Sequence, residues 1–246
     1  MFSLVQFPPI VGQSARPAHL LSAAGRYDAD HVSGYGRFRE YAEAIWEIEE
    51  LGIPVIQARV ADWLGVSRAS VNEMVHRMKD DGLVTIDDEI RLTEEGRHLA
   101  AVIVRRHRLA ERFLTDVLKL PWDKVHAEAE VWETTISDQV EEAMWSALED
   151  PKTCPHGNPI PGAGYRPPKM KPISAMEPGE VRPLERISEE LELDDEMLGF
   201  LYDSGFHPKT DIELVGKDPQ GAYTVSVDGK RVGVGEFAAD RLFVAV

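Results

Sequence analysis

Between Arg105 and Thr135 the chain places two histidines and three glutamates at steps of three and four: His107 and Glu111, then His126, Glu130 and Glu133. On an α-helix those steps put each set on one face. Imidazole and carboxylate together are ligands for divalent first-row cations, and without a thiolate the harder Mn2+ and Fe2+ gain weight over Zn2+. Each polar stripe borders an apolar one: Ala110, Phe113 and Val117 in the first segment, Val125, Ala129, Trp132 and Ile136 in the second. Packing the apolar faces together turns the stripes towards each other, where the carboxylates repel unless protonated or bound to a cation. The plainer alternative is a pair of solvated helix faces, because His–Glu pairs at i, i+4 are common.

Such stripes need long helices to hold them. Thr93 caps a helix running to about Leu118, Pro121 opens another that carries His126 to Glu133, and Ser137 starts a third in "SDQVEEAMWSALED". Upstream, Tyr41, Ile45 and Ile48 recur at helical steps until "LGIP" ends that helix. The stretch "QARVADWLGVSRASVNEMVHRMKDDG" reads as two short helices, with Gly65 in the turn and Ser67 capping the second. "LVTIDDEIRLT" then alternates around an acidic turn as a small hairpin, in the position of a DNA-binding wing. The outer face of the second helix offers Ser67, Arg68, Ser70, Asn72, Glu73 and Arg77, which can bond to base edges or phosphates. Over residues 67–79, Arg68, Arg77 and Lys79 outweigh Glu73, making a basic island. One such helix reads only a few base pairs, so a twofold dimer on palindromic double-stranded DNA is the expected working unit.

Beyond the helices, "CPHGNPIPGAGYRPPKMKP" is rich in Pro and Gly and reads as a linker. "DIELVGKDPQGAYTVSVDGKRVGVG" follows with short alternating strands split by Gly turns, as in a small barrel. The expected architecture is mainly α with a small β module. It divides into a flexible extension (1–36), a winged helix-turn-helix domain (37–95), a helical metal-binding and dimerisation domain (96–162), a Pro-rich linker (163–180) and a barrel (181–246).

The bulk composition narrows the partners. Acidic residues outnumber basic ones 43 to 27, a formal charge of −16, which argues against indiscriminate binding to nucleic acid or anionic membranes and favours cations. The lone cysteine, Cys154, excludes an internal disulfide framework and fits a reducing compartment. No apolar run approaches the roughly 20 residues needed to cross a bilayer, and "MFSLVQFPPIVGQ" makes a poor signal peptide, so a cytoplasmic protein is expected.

From Arg37 to Val246 the sequence closely resembles the diphtheria toxin repressor family of metal-dependent transcriptional regulators, above all in "RRHRLAERFLTD", "KVHAEAEVWET", "SDQVEEAM" and "HGNPIPG". The resemblance implies a homodimer whose Mn2+- or Fe2+-bound form binds an operator and represses metal-uptake genes, with a C-terminal SH3-like module of FeoA type. It implies an ancillary site at His107, Glu111 and His126 with a barrel ligand near Asp194; a second barrel ligand would fall on Met197, a poor match. It implies a primary site at Glu40, Glu130 and Glu133, with Glu43 one turn after Glu40. Carboxylates at 40 and 130 lean towards manganese. One departure stands out: where the family has a histidine after Glu133, this chain has Thr134. Two other readings remain: a winged-helix regulator in which metal is structural or unused, and a di-iron carboxylate enzyme built on Glu73–His76 and Glu95–His98. The second lacks four long facing helices.

Overall fold

Residues 36–218 and 221–246 are described by the computed structural model. The extension expected at 1–36 therefore lies, apart from Gly36, outside the described residues. Helix α1 (Arg39–Glu50) buries Tyr41, Ala42, Ile45 and Ile48, the three-and-four spacing of one helical face. Helices α2 (Gln57–Leu64) and α3 (Arg68–Asp80) are joined through Gly65, whose φ of 63° is left-handed backbone that glycine adopts without strain. The Ser67 hydroxyl accepts from the Ser70 N–H at 3.1 Å and caps α3. Strands β1 (Val84–Ile86) and β2 (Ile90–Leu92) pair antiparallel as the wing. All of these share one core with Leu99, Ala100, Val102 and Ile103, so the reading unit is built directly onto the next helix.

That helix, α4 (Glu94–Asp116), is capped by Thr93, whose Oγ1 accepts from the Gly96 N–H. Its second half packs Leu109, Ala110 and Leu114 against Val125, Ala129, Ile136 and Met144 of the following helices. The helix expected to open at Pro121 starts later. Residues Trp122–Lys124 form a 3-10 turn, and α5 runs His126–Glu133. Trp122 is drawn into the core of the C-terminal module, which bends the chain away from helical geometry at that point. Ser137 caps α6 (Asp138–Ala147), which Arg105 and Arg106 hold against α4 through Glu141 and Asp138.

The C-terminal module is a six-stranded antiparallel sheet in the order β3-β8-β4-β5-β6-β7, formed by Met170–Pro172, Leu242–Ala245, Val181–Ile187, Asp211–Lys217, Tyr223–Val227 and Lys230–Val234. Register shifts between Leu184 and Arg186 and between Leu214 and Gly216 bend it around Leu184, Ile212, Val225 and Val244. Strand β3 falls inside 163–180, the segment expected to be linker: Met170, Lys171 and Pro172 pair with Ala245, Val244 and Phe243, so these three residues belong to the sheet. Short helices α7 (Glu189–Glu192), α8 (Asp195–Asp203) and α9 (Glu236–Ala239) complete the module. The chain is thus mainly helical with one small β module, as expected. Among the described residues no helix is long and apolar enough to cross a membrane.

Candidate metal centre

Five segments converge on one buried cluster. Helix α4 contributes His107 and Glu111, one turn apart and both buried; α5 contributes His126 and Glu133; α1 contributes Glu43. The loop before the sheet supplies Cys154 and His156, and α7 supplies Glu189 and Glu192, all four buried. His107 Nδ1 lies 2.8 Å from Glu133 Oε2, and its Nε2 lies 3.2 Å from His126 Nδ1. Glu111 Oε1 sits 3.5 Å from His107, 3.6 Å from His126 and 3.4 Å from His156. Glu192 Oε2 is 3.5 Å from His126 and 2.8 Å from His156.

The loop is held by its own backbone. Gly157 has a φ of 94°, and a Cβ there would meet the Glu185 carbonyl oxygen at 2.1 Å, so only glycine lets the loop lie this close to β4. The Ile187 N–H donates to the His156 carbonyl, and the Asn158 amide donates to both the Ile187 carbonyl and Glu192. His156 Nε2–H donates to the Trp122 carbonyl at 3.0 Å. That bond fixes the ring tautomer and leaves Nδ1 facing Glu111 and Glu192, which is how a ligating imidazole is oriented.

Burial and crowded like charges shape the electrostatics of the cluster. Burial pushes the Glu43 carboxyl up to about 8, with Glu133 adding to it, and burial beside Glu111 and Glu189 pushes Glu192 up to about 7. Burial works against a charged His126, but the carboxylates of Glu111 and Glu192 beside it outweigh that and raise the ring to about 10. Burial also opposes charge on Glu111, yet His156 and His107 hold it well below the carboxylate range. Burial, then Glu111, pushes the Cys154 thiol up to about 12. Three imidazoles thus supply the counter-charge for packed carboxylates. Even so, both oxygens of Glu111, one each of Glu189 and Glu192, and His126 Nε2 are buried without a hydrogen-bond partner. Native interiors rarely leave such atoms unpaired, and the carboxylate oxygens among them are of the type a divalent ion takes. Donor sets compact enough to hold an ion are His107–His126–Glu189, Glu111–His126–Glu192, Glu111–Cys154–His156 and Glu43–His107–Glu133.

Three family profiles cover most of this chain: "Iron dependent repressor, N-terminal DNA binding domain" matches residues 36–89, "Iron dependent repressor, metal binding and dimerisation domain" residues 93–162, and "FeoA domain" residues 171–246. The iron-dependent repressor IdeR of Mycobacterium tuberculosis is 36% identical over 203 residues, 77% of this chain and 87% of the relative. The diphtheria toxin repressor of Corynebacterium diphtheriae is 37% identical over 204 residues, 78% and 89% of the two chains. The chain belongs to the diphtheria toxin repressor family. Among solved structures, a manganese-dependent transcriptional repressor in complex with manganese superposes with a TM-score of 0.76 at 32% identity, over 84% of this chain and 98% of that one. The manganese regulator SloR gives 0.69 at 30% identity, over 84% and 96%. As a member of this family, the protein is a metal-responsive DNA-binding regulator.

Not every position carried over from the family reaches the cluster. His107, Glu111, His126, Glu133 and Glu43 meet there. Glu40 is exposed at the start of α1, and Glu130 has a side chain 60% exposed that comes only within 3.7 Å of His126. Thr134 turns its hydroxyl back onto the Val131 carbonyl. Asp194 is exposed and spends Oδ1 on the N–H groups of Glu196 and Met197, capping α8. The barrel carboxylates at the cluster are Glu189 and Glu192, the same i, i+3 spacing five residues earlier. Cys154 and His156 lie in a stretch read by composition as linker, and its "HGNPIPG" carries part of the family resemblance, but neither residue is among the expected donors. The signal for them was Cys-x-His in a loop rigidified by Gly157 and Pro159, since a metal donor needs no helical periodicity.

Two arginines tie the modules around the cluster. Arg108, wholly buried, donates to Glu50 of α1, Glu189 of α7 and the Pro159 carbonyl. Arg39 Nη2 donates to the Glu133 carbonyl at 3.0 Å and lies 3.9 Å from its carboxylate. On the reading face, Ser67, Arg68, Ser70, Asn72, Glu73 and Arg77 are all exposed. The Gln57 amide donates to Asn72, and Arg77 pairs with Glu73 at 2.5 Å.

Proposed function

We propose that this protein is a Mn2+- or Fe2+-activated repressor of metal-uptake genes that acts as a homodimer on a palindromic operator. The observation that carries the reading is the buried cluster, because its donors come from the reading unit, the helical domain, the loop and the β module together. His107, Glu111 and His126, with Glu189 and Glu192, would hold the ion, and Cys154 and His156 extend the set on the barrel side. Loaded with a divalent cation, these carboxylates would no longer repel one another, and the histidines would bind as neutral imidazoles after losing their protons. Glu43 and Glu50 on α1 link that charge balance to the orientation of α3, and only an interaction that differs between two conformers shifts their populations. A coupling of about 1–3 kcal/mol changes DNA affinity roughly 5- to 150-fold.

The carboxylate argument for manganese weakens, because Glu40 and Glu130 lie outside the cluster while a thiol, Cys154, lies inside it. The donor set is compatible with either ion. A second reading has a specific basis: Arg39 joins α1 to α5 with a guanidinium rather than a metal, as a metal-independent regulator would. Operator binding separates the two. Activation requires tight binding with buffered Mn2+ or Fe2+ and weak binding with chelator, accompanied by a stoichiometric metal content; equal affinities favour the second reading.

A further inference from the structure

On the reading face, one charged side chain has the wrong sign for a surface that meets phosphate. Between Ser67 and Lys79 the acidic side chain is Glu73, in a stretch that otherwise carries Arg68, Arg77 and Lys79. Val71, Val75 and Met78 are buried, and at 100° per residue Ala69 and Glu73 lie on the opposite side of α3, facing outwards. The methyl of Ala69 one turn earlier leaves room for close approach. A carboxylate at the middle of a DNA-facing surface is repelled by phosphates and by most of the major-groove floor. Guanine shows N7 and O6, and thymine O4, all of them acceptors.

Two donors remain, the amino groups of adenine N6 and cytosine N4. Adenine sets its N7 lone pair beside the amino group, so a carboxylate approaching N6 meets a second acceptor. Cytosine has a C–H in that place. We propose that Glu73 is a base-reading residue that accepts a hydrogen bond from cytosine N4 in each half-site. Arg77, one turn on, holds one carboxylate oxygen at 2.5 Å, neutralises the charge as it nears the duplex and leaves the other oxygen to accept. Asn72 has its amide oxygen engaged by Gln57 at 3.1 Å, so it presents donors, and Glu73 is the charged acceptor of the face.

The proposal rests on the DNA-binding reading and is tested separately from it. A library of random-sequence duplexes is selected with full-length protein in Mn2+ or Fe2+, using wild type, Glu73→Gln and Glu73→Ala. The exposed position and matched thermal melts guard against misfolding. Wild type should enrich cytosine at one position per half-site, with about 5-fold discrimination against other bases in direct titration, the low end of the bidentate range because the contact is a single hydrogen bond. Glu73→Gln should move that position towards adenine, whose N6 and N7 suit a carboxamide. Glu73→Ala should level it while leaving the other positions unchanged. Identical enriched sequences from all three proteins would overturn the proposal and leave Glu73 as a solvated partner of Arg77. Failure of wild type to enrich any sequence would instead overturn the DNA-binding reading.

Discussion

Two sets of acidic residues, one inside the cluster and one outside it, have different fates. The inner set, Glu111, Glu189 and Glu192, is buried among three histidines and leaves carboxylate oxygens unpaired. The outer set, Glu40 and Glu130, has the spacing and the family positions of ligands yet faces solvent. Residue type is the same in both. Burial separates them, because a carboxylate becomes a strong cation trap only when water is removed and neighbours of like charge remain.

The comparison is sharpened most by removing the cation the protein itself supplies. Arg108→Met would strand Glu50 and Glu189 without their buried partner, an expected loss of about 3–5 kcal/mol in a urea titration. Arg112→Met, which breaks a partly exposed pair with Asp116, should cost less than about 1 kcal/mol. Similar losses for the two would mean that the interior is far wetter than its geometry.

Next in size is the ligand test. Glu111→Gln should lower metal affinity on the order of 100-fold, the upper end of what even supporting residues of metal sites cost. Glu40→Gln and Glu130→Gln should change it less than about threefold, since both side chains are solvated. Competition with a fluorescent chelator measures all three, and a large effect at Glu130 with none at Glu111 would reverse the assignment of inner and outer sets.

A third prediction uses protons in place of metal. His126 is raised from 6.5 to about 10, and Glu43 from 4.5 to about 8. A raised folded-state value favours folding while the proton stays on. The His126 contribution is full below pH 6.5 and lost by about pH 10; that of Glu43 is lost between about 4.5 and 8. Both slopes have the same sign above neutrality. The Tm of chelated protein should therefore fall from pH 6.5 to 10, and saturating metal should flatten the decline. A rising Tm over that interval would contradict this charge assignment.

The smallest effect separates a cap from a ligand. Asp194→Ala should lose about 1 kcal/mol of stability as an N-cap and leave the metal titration unchanged. A fall in metal affinity without a loss of stability would return Asp194 to the ligand set.

Periodicity and punctuation alone determined most of the helices, the wing and their caps. Burial every three or four residues selects a face, and Thr93, Ser67 and Ser137 satisfy backbone donors within three residues of themselves. These are local interactions, so they can be read along the chain. His107 with Glu111 was legible for the same reason.

Tertiary structure alone decided which donors meet. Glu192 comes within 2.8 Å of His156 across 36 residues, and Arg108 reaches Glu189 across 81. No periodic rule relates such positions. Trp122 binds the helical domain to the β-module core, and Gly157 admits the loop to β4, which together bring Cys154, His156, Glu189 and Glu192 inside. The same packing leaves Glu40, Glu130 and Asp194 in water. Spacing can nominate a carboxylate as a ligand, but desolvation decides whether it acts as one, and desolvation comes from packing between segments far apart in sequence.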